Sequence, residues 1–153
     1  MKNKICNLII TILVIALIVV IGMIIIRYGK NYLNEKEISK TLTTMEEELS
    51  NQSLNNENEI LDVKYKGYKI EGIIEIPEIN IKYPIINETN DETMKISVTK
   101  FSGPQANEIG NYCVAGHNNR DGTMFGKTKN LEKGDIIQIT DKKSRTLDYE
   151  VFD

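Results

Sequence analysis

From Ile5 to Ile26 the chain has no charged residue and carries sixteen Ile, Leu or Val side chains. As an α-helix these 22 residues would rise about 33 Å, enough to cross a hydrocarbon core of ~30 Å. Each branched aliphatic favours the bilayer by roughly 0.3–0.6 kcal/mol, which outweighs Asn7 and Thr11. A cleaved signal peptide would have a shorter apolar region, about 7–15 residues, ending at a small-residue cleavage site. Here the run passes directly into Arg27-Tyr28-Gly29-Lys30. Residues 5–26 therefore read as an uncleaved transmembrane anchor behind a basic tip of residues 1–4. Lys2 and Lys4 nearly balance Arg27 and Lys30 under the positive-inside rule. A short tail before a large domain favours the N-terminus inside and the domain outside the cell.

All 22 acidic residues follow the apolar run, with 17 of the 19 basic ones, so the remainder carries about −5. No basic face or nucleic-acid motif accompanies that charge, and DNA or RNA binding is not expected. Two cysteines, Cys6 and Cys113, and one histidine, His117, cannot assemble a zinc-ligand set. Neither a metal nor a cofactor is expected.

Residues 27–66 read as a helical and polar linker. Leu33, Ile38, Leu42, Met45 and Leu49 recur every three to five positions, the spacing of an amphipathic helix over Tyr32–Leu49. The Asn-rich piece from Asn51 to Asn56 reads as a flexible connection. From residue 67 the pattern is mainly β. Tyr68–Ile76 and Ile79–Ile86 are expected as strands, with Pro84 marking an edge or a bulge. Glu92–Ile96 is expected as a short helix and Lys100–Gly110 as a loop. Tyr112–Ala115 reads as a buried strand, Thr123–Leu131 as one or two helical turns, and Ile136–Thr140 and Thr146–Phe152 as strands flanking a charged turn, Asp141–Arg145.

The Tyr112–Ala115 strand ends at Gly116, and His117 follows at once, ahead of the turn formers Asn118, Asn119, Asp121 and Gly122. A strand end that delivers one imidazole to a loop is a common way to build a site. Read alone, a lone histidine in this setting is more often structural than catalytic. Two motifs alter that balance. Ile109-Gly110-Asn111…Val114-Ala115-Gly116-His117 with Asp121-Gly122-Thr123-Met124-Phe125, and Gly72 to Ile86 with its Ile-Pro-Glu-Ile-Asn-Ile core, resemble the histidine strand and opening strands of sortases, the membrane-anchored cysteine transpeptidases of Gram-positive bacteria. The resemblance covers about Tyr68–Asp153 and implies a sortase-type β-barrel, of which residues 67–153 would be the N-terminal portion, lacking the last two strands.

The resemblance also implies a chemistry. A cysteine thiolate attacks a peptide bond in an LPxTG-type sorting signal, an amine of the cell wall or a pilin displaces the thioacyl enzyme, and a histidine serves as acid while an arginine holds the substrate. Imidazole suits proton transfer because its unperturbed pKa of about 6.5 lies near working pH. Only His117 maps onto this machinery. The family's Thr-Leu-x-Thr-Cys strand and later arginine do not occur in the chain. Cys113 lies four residues before His117, ~13 Å away along an extended strand, and is expected in the core. Arg120 and Arg145 fall in turns. The chain is therefore expected to be a C-terminally truncated sortase, inactive alone; the alternative is a non-catalytic, membrane-tethered β module that binds sorting signals, wall material or a complementing fragment. Glu108 invites comparison with the cation sites of some relatives, though a solvated carboxylate is the simpler reading.

Overall fold

The computed structural model describes residues 2–55 and 63–153, and the chain falls into two compact units, Met1–Glu37 and Ile38–Asp153. Helix α1, Lys2–Asn55, is continuous. It contains one stretch long and apolar enough to cross a membrane. Its large apolar side chains, from Ile5 through Ile26, are all exposed within the protein, as a bilayer-facing surface requires. The helix runs on through Asn51–Asn55, where the sequence suggests a flexible connection. No proline interrupts this region, and an isolated glycine such as Gly29 only weakens a helix. The remainder of that connection lies outside the described residues.

In the second unit, Ile38, Leu42 and Met45 bury one helical stripe in the main core, while Leu33 is exposed. Lys82 is ion-paired to Glu46 of this helical piece at 2.6 Å and to Glu75 at 2.8 Å. The strands are β1 (Lys64–Tyr65), β2 (Tyr68–Ile76), β3 (Ile81–Ile86), β4 (Val98–Ser102), β5 (Cys113–Ala115), β6 (Ile136–Asp141) and β7 (Thr146–Glu150), with a short helix α2 (Thr93–Ile96). They form one sheet in the order β5-β4-β3-β2-β6-β7, with β1 paired to β2. Only β3 and β4 run parallel. The result is an incomplete barrel. Among the described residues β5 is paired only to β4 and β7 only to β6, so each keeps a free edge.

Three local expectations change. The segment around Lys100, expected as a loop, begins as strand β4; its Val-Thr-Lys-Phe-Ser sequence hides a half-buried strand behind mixed polarity. Pro84 lies inside β3, an interior strand, opposite Ile73. The β3–β4 ladder starts only at Ile85, so the imide nitrogen of Pro84 interrupts no pairing there. The bulge is instead in β2, between Ile70 and Gly72. That extra residue, Glu71, breaks the two-residue alternation and is buried together with its neighbours. The helical turns expected over Thr123–Leu131 reduce to one 3-10 turn, Thr128–Asn130.

Candidate functional site around His117

Strand β5 delivers the chain to Gly116, where a Cβ would lie 2.9 Å from both Phe125 and Val98 side-chain carbons. Only glycine fits that gap without displacing a neighbour. His117 follows and is exposed. The loop then folds back on itself. The Phe125 N–H donates to the His117 carbonyl at 3.0 Å, and Asn118 bridges Met124 in antiparallel fashion.

The turn residues Asn119, Asp121 and Thr123 lock one another. Asp121 Oδ1 accepts from the Thr123 N–H at 3.1 Å and from its hydroxyl at 2.7 Å. Asn119 Nδ2 donates to Thr123 Oγ1 at 2.9 Å. Gly126 closes the loop against the Asn119 carbonyl, so tightly that no Cβ could be added. The side chains of the Asp-Gly-Thr motif thus supply the hydrogen bonds that a short irregular loop cannot find in its own backbone.

Phe125 also lines an apolar trough of about 630 Å³, with Ile74 and Ile76 of β2, Val114 of β5, Ile137 of β6 and Tyr149 of β7. Tyr112 faces the same space. Its hydroxyl is buried without a hydrogen-bond partner, and burial, aided by the nearby Glu71 carboxylate, raises its pKa well above the usual phenol value.

A polar network ties the β4–β5 loop to the sheet. Buried Glu71 accepts the Ala106 N–H at 3.1 Å and lies 3.6 Å from the ammonium groups of Lys100 and Lys142. Asn107 donates to the carbonyls of Ile139 and Arg145 and accepts from the Tyr149 hydroxyl. Arg145 reaches Asp141 at 2.7 Å and Glu108 at 2.8 Å. The hydrogen bonds from Arg145 and then Lys143 hold the Glu108 carboxyl below its ordinary range.

Glu108 is an exposed loop carboxylate, as the simpler reading expects, and it is ion-paired to Arg145 and Lys143. Lys142 and Lys143, plain turn residues by sequence, are both ion-paired. Cys113, expected in the core, is only half-buried, because β5 has a neighbour on one side alone. Arg145 is committed to Asp141 and Glu108, and Arg120 is exposed within the histidine loop.

The sortase-domain profile matches residues 74–153. The chain belongs to the sortase family. It is 32 % identical over 78 residues to sortase A of Listeria monocytogenes, covering 50 % of this chain and 35 % of that protein. It is 36 % identical over 69 residues to sortase D of Bacillus subtilis, covering 44 % and 33 %. The solved sortase A structure from Listeria monocytogenes superposes with a TM-score of 0.50 at 28 % identity, over 55 % of this chain and 58 % of that one. The chain thus spans about a third of the length of these two curated sortases. The mainly β, incomplete sortase barrel expected from the two motifs is the fold observed, with the apolar helix ahead of it.

Glu71, Asn107 and Tyr83 do not stand out in the sequence. Glu71 is one of three charged residues of its strand, with Lys69 and Glu75, and only its burial sets it apart. The partners of Asn107 and Tyr83 lie 32 to 42 residues away.

Proposed function

We propose that His117 is the general acid of a thiol acyl transfer, within a sortase-type transpeptidase acting on LPxTG-type sorting signals. The thiolate attacks the peptide carbonyl, a thioester forms as the C–N bond breaks, and the imidazolium gives its proton to the leaving amine. An amine of the cell wall or of a pilin then attacks the thioester and releases the thiolate. The observation that carries this reading is His117 itself. It is exposed at the end of β5, on a self-locked loop, inside the segment that matches the sortase domain.

Neither cysteine of the chain suits the nucleophile's role. Cys6 lies in the apolar part of α1, and Cys113 sits within β5, four residues before His117. The attacking thiol and the substrate-holding arginine would come from a segment beyond Met1–Asp153, seated between the free edges of β5 and β7 and covering the trough. In this reading residues 1–4 lie inside the cell, 5–26 span the membrane, 27–66 connect, and 67–153 form the N-terminal part of an extracellular barrel. Tested in the protein completed by such a segment, His117→Ala lowers peptide-to-amine transfer by about 10²–10⁴-fold; transfer at the parental rate refutes the assignment.

The lack of a thiol beside His117 favours a second reading, a non-catalytic, membrane-tethered β module that binds sorting signals or wall material. The nucleotide sequence after the codon for Asp153 separates the two. A continuing frame with a Thr-Leu-x-Thr-Cys strand and a later arginine supports the transpeptidase, and an immediate stop supports the binding module.

A further inference from the structure

We propose that Tyr83 is a positioning residue for His117: from the buried strand β3 its hydroxyl fixes the loop that carries the imidazole. The proposal rests on the reading of His117 as the transfer acid. Tyr83 is 5 % exposed and Met124 is 5 % exposed, and the Met124 N–H donates to the Tyr83 hydroxyl oxygen at 3.0 Å across 41 residues of sequence. Met124 has φ +50°, a left-handed conformation uncommon for a side chain of this kind. Such a backbone persists only where its surroundings over-determine it.

Two successive amides of the loop are thereby divided. The N–H of Met124 is anchored in the core at Tyr83, and that of Phe125 turns to the carbonyl of His117. Asn118, next to the histidine, bridges Met124 directly. The path from the core to the imidazole therefore runs from the Tyr83 hydroxyl to the Met124 backbone and on to Asn118 and His117. The other locks, Asp121 with Thr123 and Asn119 with Thr123, are exposed or half-exposed and internal to the loop; they shape it without tying it to the sheet. Tyr83 supplies a buried tie, and a hydrogen bond shielded from water is the one least replaced by solvent when the loop moves.

The test uses the full chain in detergent micelles, by NMR. His117 is the only histidine, so its ring signals need no assignment. In the wild type the Met124 amide exchanges as slowly as the β2–β3 ladder amides, and the ring gives one sharp set. In Tyr83→Phe, the Met124 and Phe125 amides exchange at least tenfold faster and the ring signals broaden or double. In Ile85→Val, which perturbs the same strand away from the loop, both stay as in the wild type. A wild-type Met124 amide that exchanges like an open loop overturns the proposal, and so does a Tyr83→Phe protein indistinguishable from Ile85→Val. Should Tyr83→Phe fail to fold, the wild-type exchange rate decides. These readouts do not depend on turnover, so loss of the acid assignment through the His117→Ala assay leaves their outcome intact.

Discussion

Strands β3 and β7 belong to one sheet and meet opposite fates. In β3, Ile85 and Ile86 have no exposed surface and Ile81 and Tyr83 almost none, because β2 and β4 flank the strand. In β7 every residue from Thr146 to Glu150 is exposed, Leu147 by 47 % and Tyr149 by 40 %. Leu147 and Tyr149 of β7 are as suited to a sheet interior as the apolar side chains of β3, so their exposure follows from the missing neighbour. The difference divides the domain into a finished half, which carries stability, and an open half, where the trough and the free edges lie.

Truncation experiments measure that division directly. Ile85→Ala should cost about 2–5 kcal/mol, as large-to-small changes in packed cores do, a large part of a typical 5–15 kcal/mol stability. Leu147→Ala should cost less than ~1 kcal/mol, as changes at exposed positions do. Urea unfolding of the full chain in micelles measures both. Equal losses would break the comparison, since they would mean that the β7 face is covered in solution.

The Glu71 network lies at the junction of the two halves. Glu71→Gln keeps an oxygen for the Ala106 N–H but removes the charge between Lys100 and Lys142, and about 1–3 kcal/mol should be lost. The two lysine side chains retain 17 % and 21 % exposure and so partly recover hydration, which places the loss below that for a fully buried pair. Tyr149→Phe removes one hydrogen bond to Asn107 and should cost about 1 kcal/mol, read in the same assay.

The smallest effect is a pH dependence in the open half. Arg145 and Lys143 depress the Glu108 pKa below its ordinary 4.5. A depressed carboxyl stabilises the fold above its unfolded pKa, and that contribution fades as pH falls through the folded value. The melting temperature of Glu108→Gln should therefore lie slightly below wild type at about pH 7 and converge with it in acid, once the depressed carboxyl is protonated in the folded state. A gap that persists at the lower pH would assign the effect to packing.

Legibility in the sequence does not follow that division; it follows local pattern. Apolar, β-branched runs bounded by Pro77 and by Gly134-Asp135 mark Tyr68–Ile76 and Ile136–Thr140 within a residue of their observed ends. Met124 and Phe125, the apolar residues of the motif, join or touch the core. The motif around His117 places the imidazole at a strand end, as observed. What pattern reading misses depends on contacts distant in sequence: the bulge at Glu71, the parallel strand β4 with its mixed polarity, and the tie from Tyr83 to Met124. Residue type alone places Cys113 too deep, because it presumes a strand with two neighbours and β5 has one. The long helix outlasts its expected end because polar, Asn-rich sequence permits a helix as well as a loop.

Intact-mass analysis of the full chain, incubated with an LPxTG-type peptide and an amine acceptor, tests the central claim most directly. If neither Cys6 nor Cys113 is the attacking thiol, both cysteines remain unmodified and no transfer product forms. A thioacyl adduct on Cys113, with transfer that Cys113→Ala abolishes, would contradict it.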